Sequence, residues 1–192
     1  MSLAPAFIAR VLDPPKTYRP IPFWSWNEDL DVEETRRQIA EMDRVGIGGY
    51  FMHARGGLQT PYMGTDWMAN VKAGIDEGRQ RGMGAWAYDE NGWPSGFGDG
   101  RINGRGVAFQ QKYLRYTEVE AEVDRGDGTG ITHVQLSDGR LLQFYFEVNP
   151  YYVDTLDPAV TKAFLDEIYL PYAEAFADDF GKAMPGLFTD EP

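Results

Sequence analysis

Residues Ile47 to Tyr88 read IGGYFMHARGGLQTPYMGTDWMANVKAGIDEGRQRGMGAWAY. The stretch opens with a short apolar run, Ile47–His53, which is predicted as a strand. It then passes through the loop Ala54-Arg55-Gly56-Gly57 into a helical pattern starting at Thr65 or Asp66. Trp67, Val71 and Ile75 recur at helical spacing and form an inner face, and Gly82 is a C-terminal stop. Met83–Tyr88 is a second apolar run, again of strand length. Strand, helix, strand in immediate succession calls for parallel strands joined by a covering helix.

Upstream the same rhythm holds. Ile21–Asn27 (IPFWSWN) reads as a strand. Asp31 with Glu34 three residues on is a helix-start signature, Val32, Ile39, Met42 and Val45 give one apolar stripe, and Gly46 closes the helix. Residues 1–20 are Pro-rich and are expected to be irregular, because Pro14, Pro15, Pro20 and Pro22 oppose helix.

Downstream the rhythm breaks. Asp89 to Gly96 is predicted as a long polar loop. Residues 113–149 alternate in the strand manner and carry turn signals at Gly126–Gly130 and Ser137-Asp138-Gly139, so a small antiparallel excursion is expected there. Asp157-Pro158 opens a helix, with Val160, Phe164, Leu165 and Ile168 as its apolar face. Pro171 kinks or restarts it, and a second helical stretch reaches Phe180-Gly181. Leu187–Thr189 is the fourth strand of the main series. The expected organisation is therefore an irregular 1–20, first βα units over 21–112, the excursion over 113–149, and a helix with the fourth strand over 150–192.

Composition narrows the function classes. Thirty acidic residues against 18 Lys and Arg give a formal charge of −12. Such a chain repels phosphate backbones and anionic lipid surfaces, which argues against nucleic-acid and membrane partners. Cysteine is absent, so thiolate chemistry and disulfides are excluded. With only two His, an all-protein zinc site is disfavoured. No nucleotide, serine-hydrolase or zincin motif is found. Aromatics make up 14% of the chain, which suits either a large core or flat platforms for sugar rings. Met1-Ser2-Leu3 reads as an added leader. A secreted or periplasmic bacterial location is expected if a native signal preceded it, and a cytoplasmic one otherwise.

The candidate chemistry sits at strand ends. Asp190 and Glu191 follow strand four, and Asp89 and Glu90 follow strand three. Two acidic pairs on neighbouring strand ends bring carboxyl groups within range of one bond, as glycosidic hydrolysis requires. Each pair also reads as a solvated turn, and Asp89 and Glu90 are alternatively hydroxyl binders or oxygen ligands for a hard cation. His53 and Arg55 end strand two. His53 can orient a hydroxyl or simply be a satisfied polar residue, and Arg55 can clamp a carboxylate or pair with Asp89. Trp24, Trp26 and Trp93 lie near strand ends as platform or core, and Trp93, in a Gly/Pro-rich loop, suits stacking best.

Four segments together carry a family likeness: Pro22–Asn27 (PFWSWN), Gly46–Leu58 (GIGGYFMHARGGL), Tyr88–Gly96 (YDENGWPSG) and Phe188–Pro192 (FTDEP). In order and spacing they resemble the N-terminal half of the catalytic barrel of the glycoside hydrolase family 106-like group, the α-L-rhamnosidases and related glycosidases. The resemblance implies an α/β fold, a partial (β/α)8 TIM barrel of about four βα units, with the antiparallel insertion between strands three and four. It implies inverting hydrolysis of a terminal deoxyhexose with Glu191 as general acid; Asp190, on the opposite face of the same strand end, is the second catalytic candidate and does a different job. Trp24, His53, Arg55, Asp89, Glu90 and Trp93 would bind the carbohydrate, and a calcium ion, with Asp89 and Glu90 as possible ligands, is the only cofactor suggested. The base would come from a later strand. A full barrel has eight strands in ~250 residues, so little hydrolysis by this chain alone is expected, together with self-association through exposed half-barrel edges. The other readings are a non-catalytic carbohydrate-binding module and part of a retaining β-glycosidase-like barrel.

Overall fold

The computed structural model describes residues 4–191. Met1-Ser2-Leu3, read above as a leader, and Pro192 lie outside the described residues. The chain divides into two compact units: one combines the chain up to Asp99 with the stretch from Phe164 onward, and the other is Gly100–Ala163.

The first unit is built on a parallel sheet of β1 (Phe23–Trp26), β2 (Gly49–Ala54), β3 (Gly84–Asn91) and a last short strand (Leu187–Phe188), in that spatial order. The alternation of strand and helix accounts for it. Helix α2 (Val32–Arg44) links β1 to β2, and α3 (Thr65–Arg81) links β2 to β3. Asp31 caps α2 by accepting from the Glu34 amide at 2.9 Å, and Gly82, in left-handed backbone with φ 64°, ends α3. Side chains alternate across the strands. Trp24, Trp26, Tyr50 and Met52 turn toward the helices, where Trp67, Val71 and Ile75 are buried. Gly74 lets α3 approach closely: a Cβ there would lie 2.5 Å from Met52 Sδ, and Tyr50 donates its hydroxyl to the Gly74 carbonyl at 2.7 Å. The opposite face carries an aromatic cluster of Phe23, Phe51, Tyr88 and Phe188.

The second unit is a three-stranded antiparallel sheet of β4 (Gln110–Val119), β5 (Gly130–Gln135) and β6 (Leu141–Val153), in the order β4-β6-β5. In chain order it falls between strands three and four of the parallel sheet, as expected, though broader than residues 113–149. The parallel sheet's last strand, Leu187–Phe188, is accordingly β7. Asp157 caps α4 (Pro158–Phe164) by accepting from the Ala159 amide at 2.8 Å.

Several expectations are corrected. Residues 1–20 are not irregular throughout: Pro5–Leu12 forms helix α1 and Lys16–Tyr18 a 3₁₀ turn. The prolines that oppose helix lie beyond α1, and Pro5 occupies its first turn, where the missing N–H costs nothing. The buried stripe of α2 is Thr35 and Ile39, while Val45 is exposed. Strand β3 runs through Asn91, so Asp89 and Glu90 belong to the strand and not to a polar loop. After α4 comes a π-helical turn, Leu165–Tyr169, and then α5 (Leu170–Phe176), which stops short of Gly181. Pro171 supplies no N–H to the helical ladder, and the wider turn just before it takes up the mismatch. No helix among the described residues is long and apolar enough to cross a membrane.

Candidate functional site

The C-terminal ends of the parallel strands open onto a cleft of about 520 Å³ lined by Phe23, Ser25, His53, Arg55, Tyr88, Trp93 and Asp190. Parallel register brings these residues together. Ser25 of β1 lies opposite His53 of β2. Between Met52 and Ala54 the pairing of β2 with β3 jumps from Met52↔Ala87 to Ala54↔Asn91. His53 therefore faces Tyr88, Asp89 and Glu90, where a regular ladder would offer it one partner. Such irregularities re-aim side chains at strand ends. Here the His53 ring stacks on Tyr88 with centroids 3.6 Å apart, while its Nε2 lies 3.1 Å from Glu90 Oε1.

Asp190 is fixed from two sides. Its carboxylate accepts from the Tyr88 hydroxyl at 2.8 Å. Its amide donates to Ser95 Oγ at 2.9 Å, and its carbonyl accepts from the Ser95 amide at 3.0 Å. This pins the segment after β7 to the Gly/Pro-rich loop carrying Trp93, which is 58% exposed. The Tyr88 phenol is pushed well above its ordinary range, first by burial and then by the carboxylate it donates to. It stays a donor at any physiological pH.

The strand-end residues singled out from the sequence part company here. His53, Arg55, Trp93 and Asp190 converge on the cleft. Trp24 does not: it sits on the helix side, where its indole donates to Gln38 Oε1 at 2.9 Å. Asp89 is fully buried and points away from Glu90. Its Oδ1 accepts from Ser95 Oγ at 2.5 Å, and its Oδ2 accepts from Tyr169 at 2.6 Å and from the Thr189 hydroxyl. It ties β3 to α5's preceding turn and to the end of β7, and Arg55 is not its partner. Glu90 is 1% exposed and lies behind His53, outside the cleft lining. Glu191 is exposed, with left-handed backbone at φ 48°, and also lies outside the lining.

These positions do not suit a calcium ion held by Asp89 and Glu90. The Asp89 oxygens are taken by hydroxyl donors, and Glu90 turns the other way. Among the described residues no cluster of three or more His, Asp or Glu side chains has metal-holding geometry.

Ser25, Tyr88 and Phe23 are cleft residues that the sequence reading passed over. Two-residue alternation along β3, which places Trp86, Tyr88 and Glu90 on one face, is the signal that reveals Tyr88. Ser25 is visible only once the β1–β2 register is known. Chemically the cleft offers a carboxylate acceptor at Asp190, an imidazole, a guanidinium and an exposed indole face. That set suits an uncharged polyhydroxylated ring, with hydroxyls on the polar groups and C–H surface on Trp93.

No protein-family model matches the chain, and no curated protein matches it. Among solved structures it is similar to the rhamnosidase from Novosphingobium sp. PP1Y, at 26% identity and a TM-score of 0.48, over 60% of this chain and 11% of that one. The matched part of the chain spans about a tenth of the length of that protein.

Proposed function

We propose that this chain is part of a glycoside hydrolase barrel of the α-L-rhamnosidase type, one that holds a terminal deoxyhexose at its strand ends. The observation that carries the reading is the cleft itself: Asp190, His53, Arg55 and Trp93 arrive from sequence segments that resemble the family 106-like group, at the C-terminal ends of parallel strands. Active sites of (β/α)8 barrels lie at that end. In this reading the parallel sheet is the first part of a (β/α)8 barrel. Asp190 and His53 hold sugar hydroxyls, Trp93 covers a ring face, and Glu191, exposed next to Asp190, is the proton donor of an inverting reaction whose base lies on a later strand.

Intrinsic fluorescence titration with methyl α-L-rhamnoside tests the binding half. Saturable quenching is expected, stronger than with methyl β-D-glucoside, and lost in Trp93→Ala. An unchanged signal at high sugar concentration would end the reading. For the catalytic half, the chain is expected to turn over an aryl α-L-rhamnoside poorly or not at all. Robust turnover abolished by Glu191→Gln would show instead that the chain already holds a complete acid–base pair. The second reading, a non-catalytic carbohydrate-binding module, draws on the position of Glu191 outside the cleft lining and the exposure of Trp93. It predicts that, in a longer product carrying the remaining strands, sugar binding survives Glu191→Ala and no hydrolysis follows. Anomeric analysis of that product's reaction separates inversion from the retaining β-glycosidase alternative.

A further inference from the structure

Glu90 is the anomaly of the site. It is 1% exposed and does not line the cleft, yet one of its oxygens reaches two residues that do. Oε1 lies 3.1 Å from His53 Nε2 and 3.9 Å from Arg55 Nη1. Its other oxygen, Oε2, is buried without a hydrogen-bond partner in the protein. A buried carboxylate held so sparely is costly, and it stands opposite His53 because the β2–β3 pairing shifts at that residue.

We propose that Glu90 is a positioning residue that acts through His53, and that this defines what the cleft recognises. A carboxylate is acceptor-only, so at 3.1 Å from Nε2 the bonding arrangement has Nε2–H donating to Oε1. The opposite tautomer sets two lone pairs against each other. With Nε2 committed, Nδ1 is the nitrogen with a lone pair left to offer, and the neutral imidazole becomes an acceptor. The groups packed against the ring agree with this. Tyr88 stacks flat on it, Phe23 meets it edge-on with ring centroids 5.9 Å apart, and Arg55 is drawn toward the same Glu90 oxygen. The stack fixes the plane of the ring, and the bond selects the edge that meets Glu90. Beside the Ser25 hydroxyl, which can donate or accept, the cleft then presents two acceptors, His53 and Asp190, and one strong donor, Arg55. Its substrate class is a sugar ring that contributes hydroxyl protons to His53 and Asp190 and accepts from Arg55. This rests on the reading of the cleft as a sugar site.

The decisive measurement is ¹⁵N NMR of the imidazole nitrogens at pH 8, on the unliganded chain and with no variant at the site. The chain has only two histidines, so His133→Gln, in the other unit, identifies the His53 signals. A single Nε2–H tautomer is expected. An Nδ1–H tautomer, a tautomeric average or an imidazolium would overturn the proposal. Glu90→Gln, near-isosteric and able to donate as well as accept, should mix the tautomers and weaken methyl α-L-rhamnoside binding about tenfold, the loss of one hydrogen bond to a sugar hydroxyl. Affinity unchanged in a folded Glu90→Gln chain would also overturn it. The two claims fail separately. A locked Nε2–H tautomer in a chain that binds no rhamnoside sinks the sugar reading and leaves Glu90 a positioning residue, whereas an Nδ1–H tautomer in a chain that binds sugar does the reverse.

Discussion

The imidazole of His53 lies flat on the phenol of Tyr88, with ring centroids 3.6 Å apart and planes 6° from parallel. The phenol donates to Asp190, and the imidazole meets Glu90. One continuous series of contacts, Glu90–His53–Tyr88–Asp190, thus crosses from β2 and β3 to the end of β7. Three of its members line the cleft together with the exposed Trp93.

Tyr88 makes two separable contributions. Tyr88→Phe keeps the stack and removes the hydrogen bond, and should cost about 1 kcal/mol in urea denaturation. Tyr88→Leu removes both and should cost about 3 kcal/mol or more. Calorimetric titration with methyl α-L-rhamnoside should show weakened binding in both, because the Asp190 carboxylate loses the phenol that orients it. Equal stability of the two variants would mean that the stack contributes nothing.

Asp89 is a structural carboxylate, and its removal should read as instability. Asp89→Ala leaves the hydroxyls of Ser95, Tyr169 and Thr189 without their shared acceptor. A loss of about 3 kcal/mol or more is expected, about 1 kcal/mol or more for each hydrogen bond to the carboxylate. Asp89→Asn keeps one acceptor oxygen and should lose less, about 1–3 kcal/mol. Thermal denaturation followed by circular dichroism orders the three proteins. An Asp89→Ala chain as stable as the parent would contradict this assignment.

Gly49 of β2 lies tight against Gly84 of β3. A Cβ at Gly49 would lie 2.6 Å from the Gly84 carbonyl oxygen, and backbone cannot yield as a side chain can. Gly49→Ala is expected to destabilise by about 1–3 kcal/mol. Gly56→Ala, with open space around the added methyl, is the control and should stay within about 0.5 kcal/mol of the parent.

Alkaline pH should weaken the fold. Tyr50, Tyr88, Tyr169 and Tyr172 all have phenols pushed above their ordinary range, with burial the first cause in each. In the unfolded chain these phenols lose their protons near pH 10, while the native state keeps them. Above that pH the native state binds more protons than the unfolded one, so stability falls as pH rises. Ultraviolet titration of the eleven tyrosines should show an early reversible phase and a later one that coincides with unfolding. A single phase with the fold intact would refute the assignment.

Self-association is expected through the open side of the parallel sheet. Phe23 is 54% exposed on the aromatic face, and β1 and β7 each pair on one side only among the described residues. Unpaired strand edges beside exposed aromatic surface invite association. Light scattering should give a mass above 21.7 kDa that rises with concentration and falls in Phe23→Lys. A constant 21.7 kDa at all concentrations would rule it out.

Much of this was legible from residue order. Helix α3 follows from Trp67, Val71 and Ile75 at helical spacing with Gly82 behind them, and α2 from its Asp31 cap. Helix α1 was not legible, because nearby prolines masked a helix that ends before them. Nor was the length of β3: Asp89 and Glu90 look like a polar loop, since burial of two adjacent carboxylates is the exception unless hydroxyls or an imidazole wait for them.

Local sequence by itself determined the alternation of strands and helices, the antiparallel excursion and the placing of acidic, His, Arg and Trp residues at strand ends. Those features depend on spacing and turn chemistry within a few residues, and neighbours along the chain suffice to set them. Only the tertiary structure decided which strand-end residues share a cleft. Strand register put Ser25 beside His53, the break in the β2–β3 ladder sent Glu90 to His53 and Asp89 to Tyr169, and the tie from Ser95 fixed Asp190 under Tyr88. Two adjacent carboxylates look alike in sequence. They acquire different roles because successive residues of a strand face opposite sides of the sheet, and each side holds different partners.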